Sequence, residues 1–227
     1  MDLQAFERLI KGRRSIRRWK KEGVSDHLLK KAVELATWAP NGGNFQGWHF
    51  IVVKKGEVIE KMANAVQSAA DRIASWPEAM RWEEDVKRYQ KNASFFRNAP
   101  VCIAVFTSDY QSVMDKALTA RESFDPEANK MLTFRRSAPT AVQSSAAAVT
   151  TMLLAFHHMG LGAVWLGAPL MAKKEIETLL KVTSNFSLIC LVAVGYADES
   201  PRKDRKPVEE VIRFVYPVRK PRCLQRG

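Results

Sequence analysis

Hydrophobic and polar residues follow one another along the chain in patterns that predict helices separated by turn residues. A first helix is predicted over residues 3–11 and ends at Gly12, and a second begins after the N-cap Ser25 and ends before Pro40. The same helical spacing predicts further helices over residues 58–75, 78–96 and 173–181. The chain therefore begins with two amphipathic helices joined by a short polar segment.

Four short runs of β-branched, aromatic and aliphatic residues predict strands. They cover residues 48–53, 100–107, 163–166 and 188–194. Runs of this length are too brief for an average helix and are typical of buried strands. Because the strands alternate with helices, we expect a layered α+β or α/β fold in a single domain of residues 1–227.

Three other segments depart from this alternation. Residues 138–158 are apolar on all sides, which favours a buried central helix or a helix at a subunit interface. Residues 108–136 are polar and lack clean periodicity, so we expect an insertion that forms a lid or a binding loop. Residues 208–227 form a C-terminal extension that is too apolar to be left in water, and wrapping onto a partner subunit would cover it.

The composition limits the function classes. The net charge is +12, but the basic residues are scattered over at least four segments without a zinc-finger, RNP or basic-zipper pattern, which argues against nucleic acid as a partner. Cys102 and Cys190 lie in apolar strands, and an odd count of three cysteines cannot pair fully. We therefore expect reduced thiols, a cytoplasmic location and no membrane partner, because no apolar run approaches the ~20 residues of a spanning helix. The sequence gives no role for Cys223.

A basic segment follows the first predicted helix and combines guanidinium groups with a hydroxyl. Its polar residues are Arg13, Arg14, Ser15 and Arg17, and a second basic pair, Lys203 and Arg205, lies near the C-terminus. Guanidinium groups bind phosphate through paired, charge-assisted hydrogen bonds, and a serine hydroxyl adds a neutral donor. The segment is therefore a candidate phosphate site, with a solvated basic turn as the alternative.

A second candidate segment lies between Pro40 and Trp48. It contains three glycines together with the side-chain amides of Asn41, Asn44 and Gln46. Amide groups and close backbone approach suit the polar edge of a flat heterocycle. The alternative is an ordinary turn before a core strand.

In order and spacing, these segments resemble the FMN-dependent nitroreductase family. The resemblance rests on Arg-Arg-Ser-Ile-Arg-Arg-Trp at 13–19, Ala-Pro-Asn-x-x-Asn-x-Gln-x-Trp-His-Phe at 39–50, Gly-Leu-Gly-Ala-Val-Trp-Leu-Gly at 160–167, and Gly195-Tyr196 followed by Lys203-x-Arg205. It implies a nitroreductase-like three-layer α/β/α sandwich with a mostly antiparallel sheet. It also implies an intertwined homodimer with FMN at the interface, which would account for the apolar helix and the C-terminal extension.

The resemblance assigns roles to individual residues. Arg13, Arg14 and Ser15 match positions that hold the FMN phosphate and ribityl chain, and Lys203 and Arg205 approach the same phosphate. Arg17 matches the basic residue beside flavin N1 and O2, where a cation stabilises the reduced ring. The residues that match the loop contacting flavin from the other subunit are Pro40, Asn41, Gly42, Asn44 and Gln46. Leu166 and Gly167 match the backbone that faces the ring near N5.

Two positions depart from the family pattern. The family usually has serine where this chain has Asn41 and proline where it has Gly47, so we expect a more flexible loop and leave the acceptor class open. In the resemblance, residues 108–136 would cover the substrate side. They offer Tyr110, Phe124 and Phe134 for ring stacking.

The resemblance implies that hydride passes from NADH or NADPH through FMN to a nitroaromatic, a quinone or a similar small electron-poor acceptor. No side chain is required as an obligatory acid or base. Alternatives are a flavin-dependent dehalogenase, an ene reductase, a flavin-fragmenting enzyme, or a basic protein that binds nucleic acid or an acidic partner without catalysis. No metal is expected, because His157 and His158 are adjacent on a helix and no Cys/His cluster has ligand spacing.

Overall fold

A four-stranded antiparallel sheet forms the middle layer of the protein, of which the computed structural model describes residues 2–216. Its strands are β1 (Trp48–Val53), β2 (Val101–Ser108), β3 (Gly162–Leu166) and β4 (Phe186–Gly195). They lie in the order β1-β2-β4-β3, and every neighbouring pair is antiparallel. The four predicted strands are confirmed, with bounds that differ by two residues or fewer.

Eight α-helices within the described residues surround the sheet. They are α1 (Leu3–Gly12), α2 (Asp26–Ala36), α3 (Gly56–Ala74), α4 (Glu83–Asn92), α5 (Val113–Arg121), α6 (Pro126–Ser137), α7 (Thr140–His158) and α8 (Lys173–Leu179). Helices α2 and α7 bury apolar side chains against one face of the sheet, and α3 and α8 bury theirs against the other. This arrangement is the expected three-layer α/β/α sandwich.

The segment predicted as one helix over residues 78–96 is divided. A 3₁₀ turn at Pro77–Trp82 precedes α4, and another at Phe95–Asn98 follows it. The second turn carries Phe96, which is fully buried in the core. Helix α4 itself buries no residue, so packing of Phe96 rather than helix continuity sets the path of the chain here.

The insertion at residues 108–136 is helical rather than an irregular loop. Helix α5 begins with a capping box between Ser112 and Asp115, and α6 begins at the N-cap Asp125. Arg135 of α6 pairs with Asp115 of α5 and joins the two helices. The hydrophobic pattern missed them because α5 buries no residue and α6 buries only two, leaving almost no apolar stripe to detect.

The C-terminal extension leaves the sandwich and exposes apolar side chains. Val208–Glu210 form a 3₁₀ turn, and Val211, Phe214, Val215 and Tyr216 are exposed. The rest of the extension, residues 217–227 with Cys223, lies outside the described residues. Within residues 2–216, no helix is both long and apolar enough to cross a bilayer.

Candidate functional site

The Arg/Ser segment, residues 13–18, runs along the outer edge of β3. Ser15 forms a parallel bridge with Ala163, and the Ile16 N–H donates to the Ala163 carbonyl at 3.2 Å. Gly162 permits this approach, because a Cβ at that position would lie 2.7 Å from Ile16 Cγ1. Ile16 is buried, whereas its neighbour Ser15 is half-buried and Arg17 is exposed.

The loop that follows β4 lies against the same segment and brings the second basic pair to it. The Lys20 N–H donates to the Tyr196 carbonyl at 2.9 Å, and the Asp198 N–H donates to the Arg18 carbonyl at 3.0 Å. Farther along the same loop, Arg205 lies close enough to Arg13 for the two positive charges to interact. We call residues 13–18 together with residues 196–205 the cationic corner.

Electrostatics at the cationic corner favour an anion. Burial lowers the pKa of the Arg13 guanidinium, and the positive charges of Arg205 and Arg14 lower it further. Neither Arg13 nor Arg205 forms an ion pair with a carboxylate of residues 2–216. An anion bound here would relieve the repulsion among these cations.

The other predicted cations have different surroundings. Arg14 Nη1 donates to the carbonyl of Lys11 and, at 2.9 Å, to that of Arg13, so its side chain caps the end of α1. Arg17 and Lys203 instead line a groove of about 1040 Å³ that also contains Tyr89. The structure thus divides the basic residues between the anion-favouring cluster, a helix cap and a wide groove.

Leu166 and Gly167 end the strand against which the Arg/Ser segment lies. Leu166 is buried, whereas a Cβ built at Gly167 would meet no atom within 4 Å. The backbone at Gly167 therefore borders open space at the end of β3.

The predicted amide loop, residues 40–47, begins at Pro40 and uses its polar side chains on itself. The Gln46 N–H donates to Asn41 Oδ1 at 3.0 Å, and Gln46 Nε2 donates to Asn44 Oδ1 at 3.2 Å. Asn44 and Gln46 both have positive φ, at 52° and 51°. These internal hydrogen bonds hold a backbone shape that non-glycine residues adopt at a cost.

Close packing also holds the amide loop in place. The Gly42 N–H donates to Ser144 Oγ at 3.2 Å, and a Cβ on Gly42 would lie 2.4 Å from Thr140 Cγ2. The Tyr110 ring packs against Phe45 with ring centroids 5.1 Å apart. The loop therefore packs against α7 and the start of the insertion, and the greater flexibility expected from Gly47 stays a prediction.

The two candidate segments lie at diagonally opposite corners of the sheet. The amide loop precedes β1 at one edge, level with Thr107 and Ser108, whereas Ser15 lies beyond β3 at the other edge, level with Val194. Four strand spacings of ~4.8 Å and about six residues along a strand separate them by roughly 28 Å. One small ligand cannot contact both corners of the same chain.

Sequence reasoning missed two contributors to these corners, Glu199 and His157. Glu199 accepts hydrogen bonds from the backbone N–H groups of Arg17 and Arg18. His157 lies beside Gly12, and its pKa is lowered by burial and then by Arg13 and Arg14. Of the aromatic candidates in the insertion, Phe124 and Phe134 are exposed, and only Tyr110 packs on the loop. The adjacent pair His157 and His158 pointed in the sequence only to the question of a metal site. Within the described range, no cluster of metal-ligating side chains occurs.

Comparisons with known proteins agree on the type of fold. The sequence model of the Nitroreductase family matches residues 10–196, a range that contains the Arg/Ser segment, the amide loop and β3. The iodotyrosine deiodinase of Thermotoga neapolitana is 28% identical over 210 residues, which cover 90% of this chain and 94% of that protein.

Two solved structures are also similar. A BluB-like flavoprotein from Clostridium difficile 630 has a TM-score of 0.79 and 28% identity, over 95% of this chain and 100% of that chain. An oxidized iodotyrosine deiodinase bound to FMN and 3-iodo-L-tyrosine has a TM-score of 0.70 and 25% identity, over 92% of this chain and 98% of that chain.

Proposed function

Because the chain belongs to the Nitroreductase family, we propose that it is an FMN-dependent oxidoreductase that passes electrons from NADH or NADPH to a small electron-poor acceptor. A nitroaromatic or a quinone is the acceptor class that we favour. The observation that carries the proposal is the cationic corner, where Arg13 and Arg205, from opposite ends of the chain, lie close enough for their charges to interact and each lacks a carboxylate partner within residues 2–216. A dianionic phosphate fits this cluster in charge and in hydrogen-bonding capacity.

The residues of the cationic corner would bind and orient the cofactor. Arg13, Ser15 and Arg205 would hold the phosphate, with Arg14 and Lys203 adding positive charge nearby. Arg17 would supply a cation for the negative charge of the reduced ring, and the backbone at Leu166 and Gly167 would border the ring. When bound, FMN would accept the hydride and pass the electrons on. The chain itself needs only to position the flavin and to stabilise the negative charge of the reduced ring.

The proposed assembly is a homodimer in which the amide loop of one subunit completes the flavin site of the other. The roughly 28 Å diagonal between the two corners supports this arrangement, because a second copy can bring an amide loop to each cationic corner. The exposed apolar side chains of residues 208–216 also support it, since a partner subunit would cover them. A cytoplasmic location fits the two buried free thiols of Cys102 and Cys190.

The absorbance spectrum of the purified protein tests the cofactor, and steady-state assays test the reaction. We expect a yellow protein that releases FMN on denaturing filtration, and NADH or NADPH oxidation that depends on nitrofurazone or a quinone. Light scattering should give the mass of two chains. A colourless protein that does not take up added FMN would contradict the proposal.

Reductive dehalogenation is a second candidate, because two of the similar proteins described above are iodotyrosine deiodinases. In that reaction two electrons and a proton replace a carbon–halogen bond with carbon–hydrogen and release halide. The groove beside Arg17 and Lys203 contains Tyr89 and Phe95, which could pack against an aromatic acceptor. Halide release from 3-iodotyrosine and from halophenols, compared with nitrofurazone turnover, separates the two candidates.

A further inference from the structure

We propose that Glu199 is a positioning residue of the cofactor site, where its carboxylate fixes the backbone that carries Arg13, Ser15 and Arg17. This inference rests on the proposed function, because it assigns a role within the FMN phosphate site. Glu199 lies in the loop after β4, and only 18% of its side-chain surface is exposed.

The carboxylate of Glu199 accepts three hydrogen bonds from the Arg/Ser segment. Glu199 Oε1 accepts from the N–H of Arg17 and, at 3.2 Å, from the N–H of Arg18. Glu199 Oε2 accepts from Arg18 Nε at 3.3 Å. The Arg18 side chain is 72% exposed, so its ion pair contributes little, and the two backbone bonds carry the effect.

These bonds fill a gap in the backbone pairing of the segment. The Ile16 N–H bonds to β3, and the Lys20 N–H bonds to the Tyr196 carbonyl. Between Ile16 and Lys20, the N–H groups of Arg17 and Arg18 both donate to the carboxylate of Glu199. Without the carboxylate, the backbone at Arg17 and Arg18 would be free to move, and Ser15 and Arg13, which precede it, would be held less firmly toward the phosphate.

A positioning role and a purely electrostatic role of Glu199 predict opposite changes in phosphate affinity when its carboxylate is removed. Removing a carboxylate beside an anion site should strengthen phosphate binding if charge alone matters, because like charges repel. If Glu199 instead fixes the direction of the arginine side chains, its removal should weaken phosphate binding, because each hydrogen bond depends on geometry.

Titration of the apoprotein with FMN and with riboflavin, followed by quenching of flavin fluorescence, tests the proposal. We expect Glu199→Ala to raise the FMN dissociation constant by about tenfold or more, because two backbone bonds to a charged group are lost. Riboflavin lacks the phosphate, so its affinity should change much less. Glu199→Gln keeps one carbonyl oxygen of the same reach and should recover part of the loss.

Glu175→Gln is the matched control, because it removes the same charge from an exposed position on α8. It should leave both dissociation constants within about twofold, since salt screens a remote surface charge. Unchanged or tighter FMN binding by Glu199→Ala would overturn the proposal, as would an equal loss of FMN and riboflavin. Should Glu199→Ala fail to fold, Glu199→Gln decides by the same criteria. If the unaltered protein binds no FMN, the proposed function itself fails.

Discussion

The cationic corner and the amide loop use polar residues in opposite ways. In the cationic corner, backbone bridges to β3 and to the loop after β4 hold the chain, and the guanidinium groups of Arg13 and Arg205 remain available. In the amide loop, Asn41, Asn44 and Gln46 hydrogen-bond to one another. The loop therefore offers a ligand its packed backbone contour more than free polar groups. In the proposed flavin site, one corner would therefore supply charge to the ligand, whereas the other would supply a close-packed contour.

The largest expected effect is the loss of charge at the cationic corner. Arg13→Ala combined with Arg205→Ala should raise the FMN dissociation constant at least about 100-fold, because each charged hydrogen-bonding partner contributes roughly 1.5–3 kcal/mol. Riboflavin affinity should hardly change. Flavin fluorescence titration measures both, and Lys174→Ala on α8 is a control for loss of a surface cation. Unchanged FMN affinity would show that the phosphate lies elsewhere.

Gly42→Ala breaks the contour of the amide loop without touching the cationic corner. The new Cβ would lie 2.4 Å from Thr140 Cγ2, so the loop must shift, at a cost of about 1–3 kcal/mol of unfolding free energy. FMN and riboflavin should weaken by the same factor, unlike at the cationic corner. Thr140→Ala removes the clashing methyl group, and the double variant should regain stability in denaturant unfolding. A double variant no more stable than Gly42→Ala would place the strain elsewhere.

A smaller effect is expected from the internal hydrogen bonds of the amide loop. Asn41→Ala removes the acceptor of the Gln46 N–H and should lower the unfolding free energy by about 1 kcal/mol. Asn41→Asp keeps an oxygen in place and should lose less. Urea unfolding of the three proteins measures the difference, and equal stability of all three would show that the bond does not hold the loop.

The smallest expected effect is a pH dependence of stability at His157, which lies on α7 beside the cationic corner. Burial, then Arg13 and Arg14, lower the pKa of His157 below its ordinary value of 6.5. The unfolded chain therefore binds more protons just below pH 6.5, so stability is complete above that value and falls as the pH drops through this window. His157→Gln should show a smaller acid loss of Tm than the unaltered protein. If His157→Gln and the unaltered protein had the same dependence of Tm on pH, His157 would not contribute to the acid loss of stability.

The sequence predicted best the elements that carry a strong local signal, such as a β-branched and aromatic run or an N-cap residue. The strand at residues 48–53 was placed with the observed bounds, and Ser25 is the N-cap of α2. The split of residues 78–96 and the two helices of the insertion were missed, because these surface segments bury few side chains and leave no strong period.

For the candidate site, the motifs identified the segments but not their partners. The convergence of Arg205 on Arg13 agrees with the phosphate hypothesis. The bond from Arg17 to Glu199 joins residues 182 positions apart, and no local pattern encodes such a contact. The amides of the loop were expected to face a ligand, yet local hydrogen bonding competes for them, which residue types alone cannot reveal.

The diagonal separation of the corners has a genetic consequence. In the proposed dimer each chain contributes half of two pockets, so a subunit lacking Arg13 and a subunit altered at Gly42 are defective in complementary ways. When the two subunits are co-expressed, one pocket of each heterodimer contains both substitutions and the other pocket contains neither. Two inactive alleles would then restore activity in one cell.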